Sequence, residues 1–514
     1  MAKARLINIL LVAVIALFTL LLCVKGAAGK PIYFQTEKST VVGGPFESSN
    51  NTSRYALTES LAERGTVFFN TDEAKFASPD LVRHNGKFFS IFMPGISYIG
   101  VPFYLIGKYF GLQQLFTYFS VTLFGFLNLF LIARIASKLG ANLYASLLAG
   151  FLFLFGTNAL SYSLFYTQHI TGVSFLLIAL LAALGKRTLL KNVIFGVFAG
   201  GSILLDIPNL IFMLPIGIYL LSHYIKREKN ESNIRLSFNM KFMTVLFGLI
   251  PFLVIFAWYN LQTTGSPLQL GQSLGQTNYF KTEVATPGKP LPEKKANAEE
   301  STAPTHALPF MPREQITGFY VLLTSDERSW IFYSPIVWLG ALGFFHLYRR
   351  RRDIGVANTI VSVALLNILV YSMFADPWGG WAFGPRYLIP AAAMLCIGLG
   401  VAVHAYGKRI WFLIPFALAT LYSIGINVLG ALTTGAVPPK PEAEHLLSHI
   451  PYTYLYNIQL AQDGKISSLF YHLFFTNISG LTYIIFISAI LSVTVGLLYQ
   501  LAVAPKKKGS THEG

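Results

Sequence analysis

The side chains best suited to chemistry in this chain are a few carboxylates and guanidinium groups, gathered in polar stretches of an otherwise greasy sequence. Asp80 follows Ser78-Pro79 and precedes Asn85-Gly86-Lys87, a turn-rich setting that holds a carboxylate in place. Such a group can take a proton from a hydroxyl, although the same residue also serves as an Asx turn former. Glu47, Glu59 and Glu63 lie in the same stretch, and the last two are one helical turn apart, a spacing equally suited to a solvated face. Arg386 closes the run Trp378-Gly379-Gly380-Trp381-Ala382-Phe383-Gly384-Pro385-Arg386-Tyr387. Its planar five-donor fork matches phosphate, and the glycines let backbone approach a ligand closely. Belt tryptophans with one snorkelling arginine are the plainer account of that run. Arg54, His169 and Asp206 complete the set; Asp206 falls at the junction of two apolar runs, where burying an unpaired charge is costly.

The elements that must position these groups are membrane helices. The 514 residues are 54% hydrophobic, 15% aromatic and only 12% charged, which excludes an ordinary soluble domain. Apolar runs long enough to cross a hydrocarbon core recur near 7–24, 115–136, 141–160, 170–185, 191–205, 207–225, 242–262, 330–348, 355–374, 388–406, 411–431 and 481–502. With no water in lipid, each must satisfy its own backbone, so an all-α polytopic membrane protein of about twelve spans is expected. The run 94–111 holds extra Gly and Pro and is read as a juxtamembrane or re-entrant helix. Keeping it out of the count places Arg134 and Lys138, Lys186 and Arg187, Arg349 to Arg352, Lys408 and Arg409, and Lys506 to Lys508 on one side. That is the positive-inside pattern, with both termini cytoplasmic and the polar loops outside.

The net charge of +16 is accounted for by these helix-end clusters and anionic headgroups, so the bilayer is the partner read and nucleic acid is not. The expected organisation is an uncleaved anchor (1–24), an exterior loop with juxtamembrane helices (25–111), a first bundle (112–262) and an exterior loop (263–329). A second bundle follows (330–431, with the polar loop 376–387), then an exterior loop (432–480) and a last span with a basic tail (481–514).

Within the first loop, residues 52–65 read as a short amphipathic helix capped by Ser53 and ended by Gly65. The stretch from Lys281 to about His306 has almost no apolar residues and is expected to be disordered. Glu444-His445-Leu446-Leu447-Ser448-His449 lacks the zinc-peptidase order and is read as a solvated helix. Cys23 and Cys396 both fall in apolar runs and form no disulfide framework or thiolate metal site. No metal site is assigned; the sequence requires no cofactor and leaves a divalent cation open.

Taken in order, Ser53-Arg54-Tyr55 through Glu63-Arg64-Gly65, Asn85-Gly86-Lys87-Phe88-Phe89-Ser90 before Pro94-Gly95, Gln168-His169, Gly265-Ser266-Pro267, Phe332-Tyr333-Ser334-Pro335 and Gly379-Gly380-Trp381 to Arg386-Tyr387 form a pattern. It resembles the bacterial and archaeal relatives of protein mannosyltransferases in the GT-C superfamily of membrane glycosyltransferases. The resemblance covers most of the chain, and its most specific part is the Gly-Gly-Trp to Arg-Tyr block. It implies a polyprenyl-phosphate sugar as donor and a hydroxyl-bearing exterior acceptor, whether glycan, lipid or protein. The chemistry then assigns Asp80, Glu47 or Glu59 as the base, and Arg386, Arg54 and His169 as ligands of the donor phosphate. Asp206, Trp378, Trp381 and Tyr387 are expected to line the substrate cavity. Relatives often carry Asp just before the first Arg-Tyr pair, where this chain has Asn50 and Asn51. The competing readings are a multi-pass transporter or lipid flippase, and a non-catalytic assembly protein of the same fold.

Overall fold

The structure, a computed structural model, describes residues 2–25, 42–229, 234–279, 310–445 and 450–505. It is helical almost throughout, as an apolar chain in lipid must be. Among the described residues, seven helices are long and apolar enough to cross a membrane: Arg5–Cys23, Gln113–Lys138, Met240–Thr264, Ile354–Ser372, Arg386–Tyr406, Ile410–Leu432 and Gly480–Val503. Four shorter apolar helices, Leu143–Phe155, Gln168–Ala183, Leu189–Leu205 and Pro208–Ser222, pack among them.

The expected span at 330–348 is not one helix. It breaks into Trp330–Tyr333, a 3-10 turn at Pro335–Leu339 and Gly340–Arg349. Pro335 lacks an N–H and pushes Ser334 out of helical geometry, to φ −155° and ψ 57°. The expected span at 141–160 likewise stops at Phe155, and a separate turn follows at Ala159–Tyr162.

Gly95–Phe110 is a helix with Pro102 inside it. Gly95, Ile96, Ser97, Gly100, Tyr104 and Gly107 are buried, whereas Leu105, Ile106, Tyr109 and Phe110 are exposed, so the helix is two-faced.

The described part of the first polar loop, from residue 42 on, is built of regular elements. Its helix runs over Ser49–Arg64, capped by Ser48 rather than Ser53 and ended by Gly65 in the left-handed region. Every residue from Asn51 to Ser60 is buried, so this is no solvated amphipathic face. Ser53, relieved of capping, donates to the backbone carbonyl of Asp80 at 2.6 Å. Asn85 and Gly86, both at positive φ, make the tight turn of a hairpin that pairs Leu81–His84 with Lys87–Ser90. A second antiparallel pair of strands, Ile225–Lys229 with Ile234–Phe238, follows the apolar run at 207–225. Of the expected solvated helix near 444–449, Lys440–His445 is a helix with Glu444 and His445 exposed, and His449 lies outside the described residues. So does the stretch from Lys281 to His306.

Candidate functional site

One cavity of about 340 Å³ lies where several helix ends and loops meet, and its walls include Asn50, Arg54, Asp80, Gln168, His169, Asp206, Tyr371, Arg386 and Tyr387. The Ser49–Arg64 helix brings Asn50 and Arg54. Asp80 stands just before the first hairpin strand, Leu81–His84, and the first turn of Gln168–Ala183 brings Gln168 and His169. Asp206 projects from the extended link between Leu189–Leu205 and Pro208–Ser222. The last turn of Ile354–Ser372 supplies Tyr371, facing Arg386 and Tyr387 from the polar loop. Residues more than three hundred positions apart in sequence thus share one space.

Two carboxylates and two guanidinium groups face this cavity, and no direct ion pair joins them among the described residues. Neutral groups stand between the charges. Arg54 Nη2 donates to Gln168 Oε1 at 2.7 Å, and Gln168 Nε2 donates to Asp206 Oδ2 at 3.1 Å. Tyr371 also donates to Asp206, at 3.4 Å. The Asp80 carboxylate accepts from the Ser49 hydroxyl at 2.7 Å and from Gln276 Nε2 at 2.6 Å. Arg54 Nη1 donates to both oxygens of Asn50, and its guanidinium lies 3.7 Å from the Phe92 ring centre. Asn50 and Gln168 thus hold the Arg54 guanidinium between them.

Burial pushes the proton affinity of Asp80 up, while the Ser49 hydrogen bond and the nearby Arg54 and Arg386 pull it down. The balance leaves it above the ordinary aspartate value of 3.8. Asp206 is raised for the same first reason, opposed by Gln168 and Arg54. A carboxylate that is buried yet ionisable, facing fixed positive charge, is the arrangement proton abstraction needs.

Arg386 is set by its loop. The Asp376 carboxylate accepts from the Gly380 N–H at 2.5 Å, which closes the Gly-Gly turn. Gly379 sits at φ +73°, and a Cβ there would lie 2.7 Å from Arg386 Nε, so a glycine makes room for the guanidinium. Arg386 stands 5.2 Å from the Tyr387 ring centre, and that ring stacks on Tyr371 at 4.4 Å and 4°. His169 packs edge-on to Tyr162 and Tyr387 with ring centres 5.6 and 6.2 Å away.

Four expected site residues lie elsewhere. Glu47 is held outside the cavity by the N–H groups of Gly43 and Gly435, the Thr434 hydroxyl and buried Lys25 at 3.9 Å. Its oxygens are taken up by partners that tie the chain near Gly43 to the chain near Gly435, which suits a strut better than a base. Glu59 does not line the cavity and acts electrostatically on Tyr104. Trp378 donates its indole N–H to Glu327, and Trp381 donates to Glu442 at 2.6 Å. Trp381 instead lines a gap of about 20 Å³ with Glu47 and Arg386. Sequence reasoning missed Gln276, Tyr371 and Ser49 as cavity partners, and quoted Gln168 without a task. Only Gln168 carries a signal, a polar residue beside His169 at a helix start. Among the described residues no group of three or more His, Cys, Asp or Glu is arranged to hold a metal ion.

No family model and no curated protein matches the chain. Among solved structures it is similar to ArnT from Cupriavidus metallidurans bound to undecaprenyl phosphate, with TM-score 0.48 and 14% identity over 96% of this chain and 77% of that one. The apo state of the same protein gives TM-score 0.44 at 14% identity, over 97% of this chain and 78% of that one. The archaeal oligosaccharyltransferase AglB from Archaeoglobus fulgidus, in complex with an inhibitory peptide and a dolichol-phosphate, gives 0.44 and 14% over 85% of this chain and 57% of that one.

Proposed function

We propose that this chain is a membrane glycosyltransferase that moves a sugar from a polyprenyl-phosphate donor to a hydroxyl-bearing acceptor, with inversion at the anomeric carbon. The observation that carries the reading is the single cavity uniting Asp80 and Asp206 with Arg54 and Arg386, unpaired by direct ion pairs. Asp80 takes the proton of the acceptor hydroxyl as its oxygen attacks the anomeric carbon. The bond from that carbon to the phosphate oxygen breaks, and its electron pair leaves on the phosphate. Arg386 and Arg54 stabilise the charge that develops there, with His169 beside them. Asp206, tied to Gln168 and Tyr371, and the Tyr387 ring shape the sugar's space.

A lipid-linked donor is supported by a second, almost wholly apolar cavity of about 340 Å³ that shares Leu205 with the first. Gly95, Tyr98, Phe175, Phe252 and Trp258 wall it, surroundings in which an isoprenoid chain loses no hydrogen bonds. The charged groups also gather at helix ends rather than mid-bundle, which favours the enzyme over a transporter with its coupling site at the membrane centre.

The test is to incubate purified protein in lipid with radiolabelled polyprenyl-phosphate sugars and ask whether label leaves the lipid. Asp80→Asn should lower transfer roughly 10²- to 10⁴-fold and Arg386→Ala roughly 10²- to 10³-fold, with membrane insertion unchanged. Full transfer by both variants sinks the assignment.

A further inference from the structure

The Ile389–Tyr406 helix starts beside the candidate site and runs 18 residues, about 27 Å at 1.5 Å per residue, to a second polar cavity at its other end. This one is about 490 Å³, walled by Asn142, His404, Lys408, Arg409 and residues 502–505. It is a built feature rather than a chance gap between side chains. Asn142 Nδ2 donates to the Ala502 carbonyl at 2.7 Å and meets His404 Nδ1 at 3.0 Å, tying three helix ends together. The Tyr499 hydroxyl donates to the Gly407 carbonyl at 2.6 Å and fixes the floor.

No Asp or Glu lines the cavity, and neither Lys408 nor Arg409 pairs with a carboxylate among the described residues. Two helices begin at it, Leu143–Phe155 and Ile410–Leu432, and two end at it, Ile389–Tyr406 and Gly480–Val503, so the helix dipoles offset one another and the positive field comes from Lys408 and Arg409. Lys408 and Arg409 are exposed in the link between two membrane-crossing helices, which sets them at headgroup depth. The remaining wall, Ala405, Val503, Ala504 and Pro505, is apolar.

We propose that this cavity binds the headgroup of an anionic phospholipid, its phosphate diester between Lys408 and Arg409 and its glycerol against the apolar wall. Charge complementarity selects an anion, and the position at the ends of membrane-crossing helices selects one carried by the bilayer. The site is independent of the transferase reading.

Full-length protein, purified in a neutral detergent and stripped of lipid, is titrated with phosphatidylglycerol, phosphatidylcholine, or inorganic phosphate. Bound lipid is counted by native mass spectrometry and stability followed as Tm. Phosphatidylglycerol should be retained and raise Tm, whereas phosphatidylcholine and phosphate should not. Lys408→Ala with Arg409→Ala should weaken retention at least roughly tenfold, since each basic residue near a lipid surface contributes on the order of one factor of ten or less. Lys186→Ala with Arg187→Ala removes the same charge at the same end of the bundle and should leave retention unchanged. Lys408→Arg, which keeps the charge and so guards against a folding artefact, should also retain the lipid. Equal losses in both double variants, or equal stabilisation by inorganic phosphate, overturn the proposal.

Discussion

Asp80 is poised by opposing forces, and its pH behaviour follows from them. Burial raises its proton affinity above the ordinary 3.8, and Ser49, Arg54 and Arg386 limit the rise. The charged form is the one that accepts a proton, so sugar transfer should fall as pH drops through this raised value. The acid limb of the kcat/KM profile is therefore expected above the ordinary aspartate range, and an unperturbed limb near 3.8 would show that another group is the base. Stability runs the other way. A carboxyl raised in the folded state favours folding below the unfolded value and loses that contribution as pH climbs through the folded one. Asp206, raised by the same burial, adds to this trend. Thermal melts of Asp80→Asn against the parent should thus show the variant relatively more stable at neutral pH than at low pH.

At the scale of the element, the polar loop from Asp376 to Tyr387 works because its backbone goes where side chains rarely allow. Gly379, Gly380 and Gly384 all have positive φ, between 62° and 73°. Gly379→Ala meets both the strained backbone, roughly 1–2 kcal/mol, and the Arg386 guanidinium 2.7 Å from the new Cβ. The expected outcome is a protein that still folds, with a lower Tm and transfer reduced roughly 10²-fold because Arg386 is displaced. Wild-type turnover from a Gly379→Ala protein would mean that the guanidinium has room to adjust.

At the scale of the whole molecule, the polar segments between the membrane helices hold one another through Arg328, which is fully buried. Its guanidinium donates to the carbonyls of Glu327, Trp378, Val437, Pro438 and Tyr452. One side chain thereby satisfies backbone in its own loop and in two distant ones, the loop that carries Arg386 and the 432–480 segment. Arg328→Met should cost on the order of 3–5 kcal/mol, since several buried carbonyls lose charged donors at once. Proteolysis of the intact protein in lipid should then open the segments near 378 and 437 while the membrane helices stay protected. Unchanged protease resistance would place the organising contacts elsewhere.

The sequence by itself determined the helical membrane architecture, because a run of apolar residues in lipid has no alternative that satisfies its backbone. It also determined the individual turns: Gly65 ending a helix and Asn85-Gly86 making a hairpin are local consequences of which residues tolerate positive φ. Composition likewise separated the greasy spans from the acid- and arginine-bearing loops. Burial and partnership were decided only in three dimensions. The turns around Asp80 mark it as a held carboxylate, but nothing local says that Glu47, an acid in the same polar stretch, is taken up by other partners. Their surroundings differ because Thr434 and Gly435, far along the chain, close over Glu47, whereas Asp80 is left facing Arg54 and Arg386. The Tyr371 hydroxyl and Gln276 enter the cavity for the same reason. A hydrogen bond between residues 165 or 196 positions apart leaves no trace in local propensity, and only the packing of the bundle brings the partners together.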